Sequence, residues 1–69
     1  MIYVFKTSVT NKRKARRLKP ILDQLLPLSK WNFDLDDCDN ILRIDSVTDI
    51  VEKVIWKLKS FGFECEELA

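Results

Sequence analysis

The spacing of apolar residues switches from a period of two to one near 3.6 and back again, and it does so twice along the chain. Met1–Val9 sets Ile2 and Val4 against Tyr3, Phe5 and Val9, which predicts a central strand with apolar residues on both faces. Asn11–Leu26 has helical spacing: Leu18, Ile21, Leu22 and Leu25 share one stripe, with Ala15 at its edge. Thr10 or Asn11 can cap it. Pro20 falls roughly opposite the stripe by the helical period and predicts a kink or a loosened first turn. After the connection Pro27-Leu28-Ser29-Lys30, the residues Trp31, Phe33 and Leu35 alternate with Asn32, Asp34 and Asp36 as in a half-buried strand. Asp36–Asn40 has the composition of a turn, and Ile41–Ile44 returns with Leu42 and Ile44 inward. Ser46 and Asp49 have capping-box spacing at the head of a second stripe, Val47, Ile50, Val51, Val54, Ile55 and Leu58. Gly62, the one glycine, stands where a helix C-terminus needs a left-handed residue, and Phe63–Leu68 reads as a last short strand.

Strand, helix, strand, strand, helix, strand is the order of two interleaved right-handed βαβ units. The expected fold is α+β and ferredoxin-like: a four-stranded antiparallel sheet in the order 4-1-3-2 with both helices on one face. Residues 1–69 are the size of one domain, which buries only ~60% of its unfolded surface. The chain is 46% hydrophobic and 33% charged, a globular balance rather than a disordered one. No apolar run approaches the ~18 residues of a membrane span. Ile2–Phe5 is too short for a signal-peptide core, so a cytoplasmic location is expected. Two cysteines, Cys38 and Cys65, are too few for a disulfide scaffold. The lack of histidine removes the commonest zinc ligand and the commonest general base.

Several stretches together resemble one known family, the heavy-metal-associated (HMA) domain of copper chaperones and copper-pumping ATPases. That family reads Gly-Met-x-Cys-x-x-Cys after its first strand, and Ser8-Val9-Thr10-Asn11-Lys12-Arg13-Lys14 falls on that window. Leu18 and Leu22 match its first-helix apolar positions, and Leu25-x-Pro27-Leu28 is similar to its following turn. Trp31-x-Phe33-x-Leu35 is similar to its second strand, and Phe61-Gly62-Phe63-Glu64-Cys65 to its closing Gly-(Tyr/Phe)-x-Ala. The resemblance covers nearly the whole chain without a gap and implies the same fold. It does not carry the metal chemistry, because Asn11 and Lys14 occupy the two Cys positions. An amide and an ammonium do not suit a soft cation. Family members dock chaperone to pump by complementary charge around the metal loop, so the resemblance implies a docking surface there.

Charge is unevenly placed. Residues 1–30 carry eight Lys/Arg against Asp23 alone, net +7, while residues 31–69 are net −6. Lys12, Arg13, Lys14, Arg16, Arg17 and Lys19 crowd the first helix, where cations near the N-terminus oppose the helix dipole. Helical projection puts Lys12, Arg13 and Arg16 outward, flanked by Arg17 and Lys19. Such a face suits an acidic protein surface or simply solvent; the acidic remainder of the chain disfavours nucleic acid. Asp34, Asp36, Asp37 and Asp39 form an acidic turn at the same end as the basic loop, without the glycine and closing glutamate of a calcium loop. Its plainest role is to compensate the cations. Cys65 alternates with Phe63 and belongs inward; Cys38 belongs in the exposed turn, too far away for a disulfide. Trp56 projects away from the second helix's stripe, either as an interface anchor or lying on the stems of Lys53 or Lys59.

No nucleophile stands beside a base and no glycine-rich phosphate loop is present, so neither an enzyme nor a cofactor is expected. The expectation is a small binding domain whose contacts to an acidic protein partner are Lys12, Arg13, Arg16, Arg17 and Trp56. Two alternatives remain: metal handling through Cys38 and carboxylates, or with a second chain, and anion or nucleic-acid binding through the basic helix. A monomer is expected, or a weak dimer through Ile2, Val4 and Ile41 on the open sheet face.

Overall fold

Six elements follow the predicted order: β1 (Ile2–Thr7), α1 (Lys12–Leu25), β2 (Lys30–Asp34), β3 (Ile41–Asp45), α2 (Val51–Ser60) and β4 (Cys65–Glu67). This computed structural model describes residues 1–36 and 39–68. The sheet order is β2-β3-β1-β4, and every neighbouring pair is antiparallel. Read from the other edge this is 4-1-3-2, the ferredoxin-like arrangement.

The register explains the core. Tyr3 pairs with Ile44, and Phe5 with Leu42; across β3 the same two residues pair with Trp31 and Phe33. Directly paired residues share a face, so these six line one side of the sheet. Leu18 and Leu22 of α1 and Val54 and Leu58 of α2 pack against that side, and all four are fully buried. Ile41 is only 4% exposed yet stands apart from this cluster. It lies on the opposite face, where Lys6 and Asp34 flank it in register.

Local chemistry sets the helix ends. Asn11 caps α1, its Oδ1 accepting the Lys14 N–H at 2.9 Å. Helix α1 runs through Pro20 without interruption. At the end of α2, the Phe63 N–H reaches the Leu58 carbonyl and the Gly62 N–H reaches that of Lys59, both at 3.0 Å. With Gly62 at φ +84°, this is a Schellman turn.

The start of α2 departs from the sequence-based expectation. Ser46 and Asp49 do not form a capping box: α2 begins at Val51, behind Ile50, with no side-chain cap. Buried Ser46 accepts the Thr48 N–H on its Oγ, and Asp49 Oδ1 accepts that of Val51. Both side chains close turns two residues long, the bonding that competes with helix in Ser and Asp. Val47 is thereby left outside the helix and 93% exposed, instead of joining its stripe.

Candidate functional site

The loop between β1 and α1 is tied down by its own polar groups. Thr7 Oγ1 donates to the Asn40 carbonyl at 2.7 Å and accepts the Val9 N–H at 3.2 Å. Ser8 exchanges bonds with Glu64: its N–H reaches the Glu64 carbonyl at 3.1 Å, and its Oγ accepts the Glu64 N–H at 2.8 Å. Val9 is fully buried beneath. The loop therefore touches the β2–β3 connection on one side and the approach to β4 on the other, which puts Asp39 and Asn40 at its end of the molecule. Lys6 approaches Asp39 at 3.7 Å, and Arg43 donates to Asp34 at 3.2 Å.

Asn11 and Lys14, where the resemblance would place metal thiolates, are engaged otherwise. The Asn11 amide caps the helix, and the Lys14 ammonium donates to Thr10 Oγ1 at 3.2 Å. These donors do not fit a soft metal ion. Among the described residues, no group of three or more Cys, Asp or Glu is placed to hold a metal ion. Cys38 and Asp37, on which the alternative metal site and part of the acidic turn depend, lie outside the described residues. Cys65 is buried in the core, and desolvation pushes its thiol up to about 11, against a weaker opposing pull from Lys59.

Helix α1 sorts its cations into rows. Lys12, Arg16 and Lys19, spaced four and three apart, line one side of an open groove of about 590 Å³ between α1 and β2. Ala15, Trp31, Phe33 and Leu35 also line it. Arg17 faces the other way, onto a smaller cleft with Leu18, Ile21, Phe61 and Phe63. Arg13 is exposed and borders neither. Lys19 is held by Asp23 at 2.9 Å. The Asp23 carboxyl falls below its ordinary pKa, chiefly through that bond; desolvation opposes the shift, and the Trp31 indole N–H, at 3.1 Å, adds to it. Among the described residues Lys12, Arg13, Arg16 and Arg17 make no ion pair.

Trp56, 67% exposed, stands on α2, apart from the groove. The Lys57 ammonium lies 5.7 Å from the Trp56 ring centre and 6.0 Å from that of Phe61. The five residues singled out from the sequence thus divide among the groove (Lys12, Arg16), the interhelical cleft (Arg17) and separate exposed positions (Arg13, Trp56). The apolar lining of the groove and the place of Lys19 in it were missed. Their signal was the spacing of Lys12, Arg16 and Lys19, which needed the position of β2 to acquire meaning.

No protein-family model, curated protein or solved structure matches this chain. Among the described residues no helix is long and apolar enough to cross a membrane.

Proposed function

We propose that this chain is a non-enzymatic binding domain of the heavy-metal-associated type, lacking the Cys-x-x-Cys site, which captures an acidic protein surface through the exposed cations of α1. One observation carries this reading: Lys12, Arg13, Arg16 and Arg17 stand exposed on α1 without a carboxylate partner among the described residues. Cations in the first turns of a helix cost about 0.3–1 kcal/mol each for those nearest the N-terminus. A local cost kept at a surface position is the mark of a functional residue. The occupied Asn11 and Lys14 side chains support a role without metal.

The test is charge reversal. An Arg13→Glu/Arg16→Glu double variant is expected to keep its circular dichroism spectrum and to lose the partners that the wild-type chain retains from its native extract. Equal retention by the two proteins removes the reading. Saturable Cu(I)-induced amide shifts confined to residues 9–14, under reducing conditions, would replace it with a metal-handling role.

A further inference from the structure

The two edges of the sheet are finished differently. Edge strand β4 spans three residues, and Glu64, Glu66 and Glu67 surround it with negative charge. Short acidic edges resist pairing with another strand. Edge strand β2 has five residues and borders the groove beside α1.

The ladder shows which backbone groups of β2 are free to pair. The Ser46 N–H bonds to the Met1 carbonyl at 2.9 Å, while the Leu68 N–H bonds to that of Val4 at 2.8 Å. Odd residues of β1 therefore bond toward β3 and even ones toward β4, as antiparallel alternation requires. Carried across the register, Leu42 and Ile44 bond to β1, and Ile41, Arg43 and Asp45 bond to Asp34, Asn32 and Lys30. That leaves the N–H and C=O groups of Trp31 and Phe33 pointing outward from the free edge. Their side chains lie on the helix side and line the groove, under the row of Lys12, Arg16 and Lys19.

We infer that the β2 edge takes an extended segment of a partner protein as a fifth, antiparallel strand, with an apolar side chain over Trp31 and Phe33 and a carboxylate opposite Arg16. This rests on the acidic-partner reading above and gives it a geometry. Charge selects the occupant. Four cations line the groove (Lys12, Arg16, Lys19 and Arg43) against two carboxylates, Asp34 and Asp36. Arg43 is spent on Asp34, and Lys19 on Asp23 outside the lining; among the described residues Lys12 and Arg16 make no ion pair and exceed the one remaining carboxylate of the lining, Asp36, by one charge. A second copy joined β2 to β2 would set two such rows against each other. A second copy's β4 has the right charge, but its Cys65 is already buried in its own core and has no apolar surface to offer. Recognition by strand addition divides the work in the usual way: backbone bonds supply affinity, and alternate side-chain pockets supply selectivity.

The test uses blocked peptides and the whole chain. Thr-Val-Thr-Glu-Thr-Val-Thr presents Val-Glu-Val on one face, and its control carries Lys in place of Glu. In an antiparallel fifth strand the Val and Glu amides face β2 and all the Thr amides face solvent. Titrated into ¹⁵N-labelled protein, the Glu peptide is expected to shift and protect the amides of Trp31 and Phe33 and to shift those of residues 12–19. N-methylation of the Val amides should weaken it on the order of tenfold, the cost of two lost hydrogen bonds, while N-methylation of the inner Thr amides leaves it unchanged. The Lys peptide should bind more weakly, and a Lys12→Glu/Arg16→Glu variant should reverse the preference. Shifts confined to α1, with β2 amides unprotected, overturn strand addition and leave the acidic-partner reading standing. Equal loss from both N-methyl patterns, or no shift at millimolar peptide, also overturns it. Sedimentation of the chain alone is expected to give a monomer; mass rising with concentration would assign the edge to a second copy.

Discussion

Cys65 shows what a small core does to one ionisable atom. It is 5% exposed, and burial holds its thiol at about 11 against an ordinary value of 9.0. The folded-state pKa is raised, so in the window between the two values the unfolded chain gives up the proton first. Stability from the neutral thiol is complete below pH 9 and is lost as pH climbs to about 11. Two pK units correspond to ~2–3 kcal/mol. Urea unfolding of wild type and Cys65→Ala should therefore converge by about that amount between pH 8.5 and 11. Parallel pH profiles would mean that the thiol is hydrated in the folded protein. Asn11 shows the polar counterpart: its side-chain oxygen is spent on a backbone N–H, that of Lys14.

At the scale of the element, Pro20 is the anomaly in α1. It has no N–H to give the Arg16 carbonyl, and it sits exposed inside a continuous 14-residue helix. A helix-interior proline costs ~3 kcal/mol relative to alanine, part of which is offset by the stiffer unfolded chain. Pro20→Ala is accordingly expected to add ~1–3 kcal/mol and to raise the thermal midpoint by ~4–8 °C per kcal/mol. A lowered midpoint would show instead that the packing of α1 beside β2 depends on the proline. The elements themselves were legible because Leu18, Leu22, Val54 and Leu58 keep the helical period, and Phe5, Leu42 and Ile44 keep the strand period. The head of α2 was not, since Ser46 and Asp49 can serve a cap or a turn equally well and the choice depends on neighbours. Nor was the groove. Lys12, Arg16 and Lys19 announce a row in the sequence, but only the handed crossover from β1 to β2 decides that this row overlooks a free strand.

For the molecule as a whole, charge separates the helices from the rest of the chain, chiefly its connections. The two helices carry nine Lys/Arg against Asp23 and Glu52, net +7, and the rest of the chain is net −6. Near 0.1 M salt the screening length is about 10 Å. The molecule measures 27 × 25 × 18 Å, so a surface touching the helices is largely screened from charges on the far side. At pH 7 and that ionic strength the protein is expected to be retained by both cation and anion exchangers, despite a formal charge of +1. Flow-through on either resin would show that the two sets of charges average out. The sheet order also has a consequence in time. Strand β1 is central, and its partners are β3 and β4, so its ladders wait for residues 41–45 and 65–67. A ribosome adding about 5–20 residues per second exposes β1 for seconds with both edges unpaired. The first strand made is the last to be enclosed, and in that interval the chain is most open to chaperones and to pairing with a neighbouring nascent copy.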